Sequence, residues 1–171
     1  MSGHDDWFTA VYAAHHAQIV RFLRGMLGGR GDAADLAQDV FAKLHTSAPP
    51  GRDAAQIRFW LFRVARNLAI NELKRWSVRD ALQPLLSSLL RSPPAPDELA
   101  LRDEQRRLLM KHIAALSDDQ RAALLLREWE EMTYDETAAT LQVSVAKVKS
   151  DLFRARQALR AAWMQDERRR R

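Results

Sequence analysis

The chain has 171 residues, a net charge of +5, 47% hydrophobic residues and no cysteine. Disulfides, thiolate metal sites and cysteine nucleophiles are therefore excluded, wholesale disorder is argued against, and a reducing cytoplasm fits. The opening MSGHDDWF carries two acids and no apolar run, and no stretch approaches the ~20 apolar residues of a membrane span, so neither a secretory signal nor direct membrane insertion is expected.

Apolar spacing is helical throughout, so the expected fold is all-α. From Trp7, the residues Phe8, Val11, Tyr12, Ile19, Val20, Leu23 and Leu27 mark a first helix, stopped by Gly28, Gly29 and Gly31. Asp32 is placed to cap a second helix with Leu36, Val40, Phe41 and Leu44 inside, and Pro49-Pro50-Gly51 ends it. A long helix is expected from about Ala54 to Trp76. Residues 80–96 end in Pro93, Pro94 and Pro96, which cannot sit inside a helix, and read as a linker between two small domains, 1–79 and 97–165. The second half restarts at Asp97. Ser117-Asp-Asp-Gln120 and Thr133-Tyr-Asp-Glu136 match the capping-box pattern and set helix starts near Asp118 and Tyr134. Ser144 caps the last helix, whose inner stripe is Val145, Val148, Leu152, Leu159 and Trp163, and residues 166–171 form a basic tail expected to fray.

Charge is unevenly spread. Residues 58–79 carry six bases and one acid, residues 97–142 six bases and eleven acids, and residues 143–171 nine bases and three acids. Two basic patches around an acidic block are the footprint of nucleic-acid binding. The later patch is a short helix, a turn at Leu141-Gln142-Val143-Ser144 and a basic helix, which is the order of a helix-turn-helix. Its last helix directs Lys147, Lys149, Ser150, Arg154 and Arg156 away from the apolar stripe, the early residues toward base edges and the arginines toward phosphates. Asp151 opposes phosphate on that face unless it pairs with Lys147. The upstream patch, RFWLFRVARNLAINELKRW, sets Arg58, Arg63, Arg66, Lys74 and Arg75 beside Trp60, Phe62 and Trp76. Charge that follows a backbone and rings that stack on bases suit single-stranded DNA, and Asn67 and Asn71 share a helix face from which to read a base edge. A buried amphipathic helix with a basic outer face is the competing reading.

DLAQDVFAKL (35–44), FWLFRVARNLAINELKR (59–75) and LSDDQRAALLLREWEEMTYDETAATLQVSVAKVKSDLFRARQALR (116–160) resemble the bacterial sigma-70 family, specifically its small extracytoplasmic-function group. The resemblance implies sigma-2 and sigma-4 helical domains on a flexible linker, a subunit of RNA polymerase with no enzymatic activity or cofactor of its own, and recognition of the −35 and −10 promoter elements with help in duplex opening. It implies that Asp35, Gln38, Asp39 and Phe41 dock on the β′ clamp helices of core polymerase. Arg58, Trp60, Arg63, Arg66, Asn67, Asn71, Lys74 and Arg75 would face the −10 element, and the loop from Thr46 to Arg52 would cradle a flipped base. Ser144, Lys147, Lys149, Ser150, Arg154 and Arg156 would lie on the −35 element. A cytoplasmic location and an anti-sigma partner are implied as well. Gln142 departs from the glycine often found in that turn, and Asn71 and Asp151 replace more usual acidic and basic residues.

Three other readings compete. A free-standing helix-turn-helix regulator leaves the upstream basic, aromatic helix unexplained. A metal-dependent nuclease would draw on His15, His16, Asp5 and Asp6, but adjacent helical residues project about 100° apart. A structural adaptor would show no salt-dependent DNA affinity.

Overall fold

The computed structural model describes residues 2–47, 53–86 and 102–170. Seven helices follow in order: α1 (Ser2–Met26), α2 (Ala33–Ser47), α3 (Ala54–Leu86), α4 (Arg102–Ala114), α5 (Asp118–Glu128), α6 (Tyr134–Leu141) and α7 (Val145–Arg170). The all-α expectation holds among the described residues.

Helix starts follow the local chemistry. The Asp32 carboxylate accepts from the amides of Ala34 and Asp35 at 2.8 and 3.2 Å. Ser117 accepts from the Gln120 amide, and Thr133 and Glu136 form the full reciprocal capping box. Ser144 accepts from the Lys147 amide at 3.1 Å and opens α7.

Helix ends depart from the expected ones. α1 begins at Ser2 rather than Trp7, and α3 runs past Trp76 to Leu86. The boundary expected at residue 80 therefore falls inside a helix. The rest of that linker, the restart at Asp97 and positions 48–52 of the expected base-cradling loop lie outside the described residues. Thr46 and Ser47 belong to the last turn of α2, where the Thr46 hydroxyl donates to the Ala42 carbonyl at 3.1 Å. The terminal charge run is helical, not frayed, as far as Arg170, and Asp166 pairs with His112 of α4 at 2.6 Å.

α1, α2 and α3 pack into one bundle, with Ile19, Phe22, Leu23, Leu44, Leu61 and Phe62 fully buried and the Phe22 and Phe62 rings edge-to-face at 5.3 Å. Each such side chain contributes about 1.5–3 kcal/mol by leaving water. α5, α6 and α7 form the second unit around Leu125, Leu126, Met132, Val148 and Leu152, with α4 against α7. The inner stripe of α7 fades after Leu159, and Trp163 is 40% exposed.

The two units are not held apart. α1 packs on α4 and α5, and α3 on α6, so the buried apolar residues join into one cluster. Gly25 makes the α1–α5 crossing, where a Cβ would stand 2.6 Å from the Trp129 ring and 2.9 Å from the Leu125 methyls. Arg121, only 5% exposed, donates to the carbonyls of Ile113, Ala114 and Leu116 and, across the units, of Met26.

Candidate nucleic-acid interface

The helix-turn-helix is α6, a tight turn and α7. Gln142 ends α6 in the left-handed region at φ 57° and ψ 44°, a conformation that costs a non-glycine residue about 1–2 kcal/mol. The Val143 amide recovers part of this by donating to the Ala138 carbonyl at 3.1 Å. Ala138 is buried while Ala139 faces solvent, so only the first of the two alanines permits the close crossing. Val148, Leu152 and Ala155 hold α7 against its own unit, and Lys147, Lys149, Arg154 and Arg156 are exposed, with Ser150 half-buried.

Those α7 side chains differ in what they touch. Arg154 has no charged or polar partner among the described residues. Lys149 lies 5.5 Å from the Tyr134 ring centre. Arg156 bonds Glu128 at 2.7 Å, and that bond holds its pKa above the ordinary guanidinium value. Asp151 is 5% exposed and pairs with Lys147, so its charge is neutralised beneath the surface, as its spacing requires. The bond to Asp151, aided by Asp119 and opposed by burial, raises the Lys147 pKa.

The α3 face is also formed, but much of it is turned toward the second unit. Arg63 donates to the carbonyls of Ala139 and Thr140 at 3.0 and 3.1 Å, where the last turn of α6 attracts a cation. Arg58 donates to the Glu130 carbonyl at 2.7 Å. Arg66 bonds Asp119 at 2.5 Å, and Lys147 reaches the other Asp119 oxygen at 3.3 Å. One carboxylate thus joins residues from both basic patches. Asn67, Asn71 and Lys74 are exposed and line a cleft of about 690 Å³ closed on its far side by Ser117, Asp118 and Asp119. Arg75 pairs with Glu72 within its own helix at 3.3 Å.

The rings of α3 fall largely to the core, as the reading of a buried amphipathic helix expects. Phe62 is fully buried, and the Trp76 ring is covered by Gly31, where a Cβ would stand 2.5 Å away, with Arg30 5.0 Å above it. Trp60 is half-buried against the core. Core packing claims these rings because α3 packs against both α1 and α2 in its bundle.

Asp119 and Glu130, which sequence reasoning passed over, titrate in opposite senses. Burial is the largest single influence on Asp119 and raises its pKa, but hydrogen bonds and charges from Arg66 and Lys147 together outweigh it and leave the pKa below 3.8. A depressed carboxyl stabilises the folded chain above its unfolded value and loses that contribution as pH falls through the folded value. The stability advantage of the native chain over Asp119→Asn should therefore be present above pH 3.8 and disappear below it, as checked by urea denaturation across an acid series. The pKa of Glu130, which is 5% exposed, is pushed up by burial against the opposing Arg21 contact, and its Oε2 has no hydrogen-bond partner among the described residues.

Asp35, Gln38 and Asp39 are exposed on α2. Asp32, Asp35, Asp39 and Glu72 surround a depression of about 270 Å³ with Trp76 at its edge. Glu72 comes from α3, and only the folded chain reveals that it extends the acidic face. Phe41, expected as a docking contact, is 2% exposed and packs on Tyr12 at 4.7 Å, so it supports the α2 face from below. His16 stacks on Tyr12 at 4.6 Å, and His15 bonds Gln18 at 3.3 Å. No helix of the described residues is long and apolar enough to cross a membrane.

Comparison with known proteins agrees with this layout. The sigma-70 region 2 family profile matches residues 11–78, and the sigma-70 region 4 profile matches residues 106–159. The chain is 32% identical over 138 residues to the ECF RNA polymerase sigma-E factor of Escherichia coli K12, covering 75% of this chain and 72% of that relative. It is 31% identical over 150 residues to the RNA polymerase sigma-H factor of Pseudomonas aeruginosa, covering 82% and 76%. In fold it is similar to the sigma factor RpoE solved with the anti-sigma factor NepR from Bartonella quintana, with a TM-score of 0.70, 22% identity and coverage of 92% and 96%. It is similar also to CnrH solved with the cytosolic domain of CnrY, with a TM-score of 0.67, 22% identity and coverage of 96% and 92%.

Proposed function

The chain belongs to the sigma-70 family, in its extracytoplasmic-function branch, and on that premise we propose how its surfaces divide the work of directing RNA polymerase to promoters. The exposed acidic face of α2, with Asp35, Gln38 and Asp39, docks on the β′ clamp helices of core polymerase. The α3 face, from Arg58 and Trp60 through Arg63, Arg66, Asn67, Asn71, Lys74 and Arg75, meets the −10 element and prefers separated strands. Duplex opening then follows from tighter binding to the open form. α7, entered at Ser144, lies in the −35 major groove with Lys147, Lys149, Ser150, Arg154 and Arg156 toward DNA. Family members are initiation factors rather than enzymes, and polymerisation belongs to the host complex. The RpoE neighbour is held with an anti-sigma factor, and a cytoplasmic chain of this family suits the same kind of control.

The observation that carries this reading is the pairing of a capped helix-turn-helix with a second basic helix face on the same small chain. A stand-alone duplex-binding regulator has no use for the second. The decisive experiment is in vitro transcription with core polymerase on a promoter library, where added chain should confer start-site selection. Unselected initiation would defeat the proposal. Within it, Arg154→Ala should weaken −35 binding and reduce the salt slope by about one unit, because Arg154 is exposed and has no charged partner among the described residues. An unchanged slope in a fluorescence anisotropy titration places Arg154 off the DNA.

A further inference from the structure

Two neighbouring depressions lie where α1 of the first unit packs on the second, and neither is lined by α3 or α7. One, of about 390 Å³, sets Leu109, Met110 and the half-buried Trp129 beside Arg21, Arg24 and Arg106. The other, of about 590 Å³, adds Arg30, Arg107 and Lys111 along the Gly28-Gly29 turn. The two share Arg24, Arg106 and Met110 and so run into one groove. Among the described residues no carboxylate lines it, although α4 and α5 belong to the acid-rich stretch of the chain. Arg21 is held by Glu130 at 2.8 Å and Arg30 by Asp80 at 3.2 Å. Arg24, Arg106, Arg107 and Lys111 are exposed, and none has a side-chain partner among the described residues.

Like charges gathered without counterions repel one another, and an anion placed among them is attracted without first breaking an ion pair. The helix C-termini at the groove do not cancel that attraction, because their carbonyls are capped. Those of Arg24, Gly25 and Leu27 accept from the amides of Gly29, Gly28 and Arg30 at 3.0, 3.1 and 3.2 Å, and those of Met26 and Ala114 accept from Arg121 at 2.5 Å. At Gly29 the space where a side chain would stand is open. We propose that the groove binds a nucleoside polyphosphate, with its planar base against Trp129, Leu109 and Met110 and its phosphates among Arg24, Arg106, Arg107 and Lys111. An apolar end joined to a cationic end matches a ligand of that build. Guanidinium groups meet phosphate oxygens with paired N–H donors, and a base stacks on an indole. A base inside a duplex is already stacked and cannot enter such a depression. Because α1 supplies one wall and α4 the other, the bound nucleotide ties the two units and stabilises the folded chain by mass action.

Isothermal titration calorimetry of the full chain with magnesium-free GTP, inorganic tripolyphosphate and a mixed-sequence single-stranded DNA 12-mer tests the site. The unaltered chain should bind GTP more tightly than tripolyphosphate, and its melting temperature should rise with GTP concentration. The double change Arg24→Gln and Arg106→Gln should weaken both anions about tenfold. Glutamine is close to arginine in helix propensity, and circular dichroism checks that the helices persist. Leu109→Ala, at a residue 41% exposed, should weaken GTP about threefold and leave tripolyphosphate unchanged. Absence of GTP binding at millimolar concentration overturns the proposal. So does GTP binding that the double glutamine variant leaves intact, which places the nucleotide on another basic face. Equal affinity for GTP and tripolyphosphate, indifferent to Leu109→Ala, reveals an anion site with no place for a base and overturns the nucleotide assignment. Loss of 12-mer binding in the double variant with GTP binding retained makes the groove a path for nucleic acid instead. None of these outcomes depends on whether the chain directs initiation.

Discussion

Replacing Arg121 with alanine is expected to cost about 3 kcal/mol and lower the melting temperature by about 10 °C. The guanidinium is 5% exposed and donates to carbonyls at and just beyond the ends of α1 and α4, with Met26 bonded at 2.5 Å and Leu116 at 2.9 Å. Burial lowers its pKa, with the Asp118 charge opposing, but an arginine remains protonated at neutral pH. Its removal leaves buried carbonyls without partners, and that loss rather than lost volume dominates the cost. Arg121→Met separates the two, since methionine fills most of the space and donates nothing. Thermal unfolding followed by circular dichroism should place both variants close together. A methionine variant as stable as the parent would show that the side chain acts as filler.

The double change Asp35→Lys and Asp39→Lys should weaken binding to core polymerase about 100-fold, equivalent to about 2.7 kcal/mol. Both carboxylates are exposed on α2, and neither has a side-chain partner among the described residues, so the fold should be unaffected. Reversing two charges on an acidic face sets it against the basic counterpart that such a face selects. Competition against a labelled sigma factor for core polymerase measures the loss, and the melting temperature serves as the control. Retained affinity with an unchanged melt would move the docking surface elsewhere. Phe41 is unsuited to this experiment, because truncating a buried ring tests the bundle and not the surface.

The two changes probe different levels of the molecule. Arg121 holds helix ends, including one from each unit, and its loss reports on folding. Asp35 and Asp39 have no side-chain partner among the described residues, and their change tests the proposed docking face. Asp119 and Glu130 lie between these cases. They sit where the two units meet, and their pKa values move in opposite directions, so on acidification Glu130 takes up its proton before Asp119 does.

Helix identity, the starts of α2, α5, α6 and α7, and the order of the DNA-reading motifs were legible in the residues alone. Capping boxes and apolar spacing act within a few positions, so the information they carry is local. The pairing of Asp151 with Lys147 is equally short-range and could be anticipated from spacing, whereas the left-handed turn at Gln142 was suggested by the family resemblance. The stopping point of α3 was not readable, because no glycine or proline follows Trp76 until Pro84 and nothing local ends the helix there.

Which rings and charges are available was decided only by packing. Phe41 looks like a contact residue in a motif and proves to be core, because α1 packs against α2 and its Tyr12 meets the ring. Arg58, Arg63 and Arg66 look like free cations and are engaged by oxygens from α5, α6 and the turn between them, 53 to 77 positions further along the chain. Gly25, Arg121 and Glu130 carry no motif, and their roles exist only where one unit meets the other. Periodicity records how a helix faces its own neighbours. It holds no trace of contacts between segments that the chain brings together only once both units have folded.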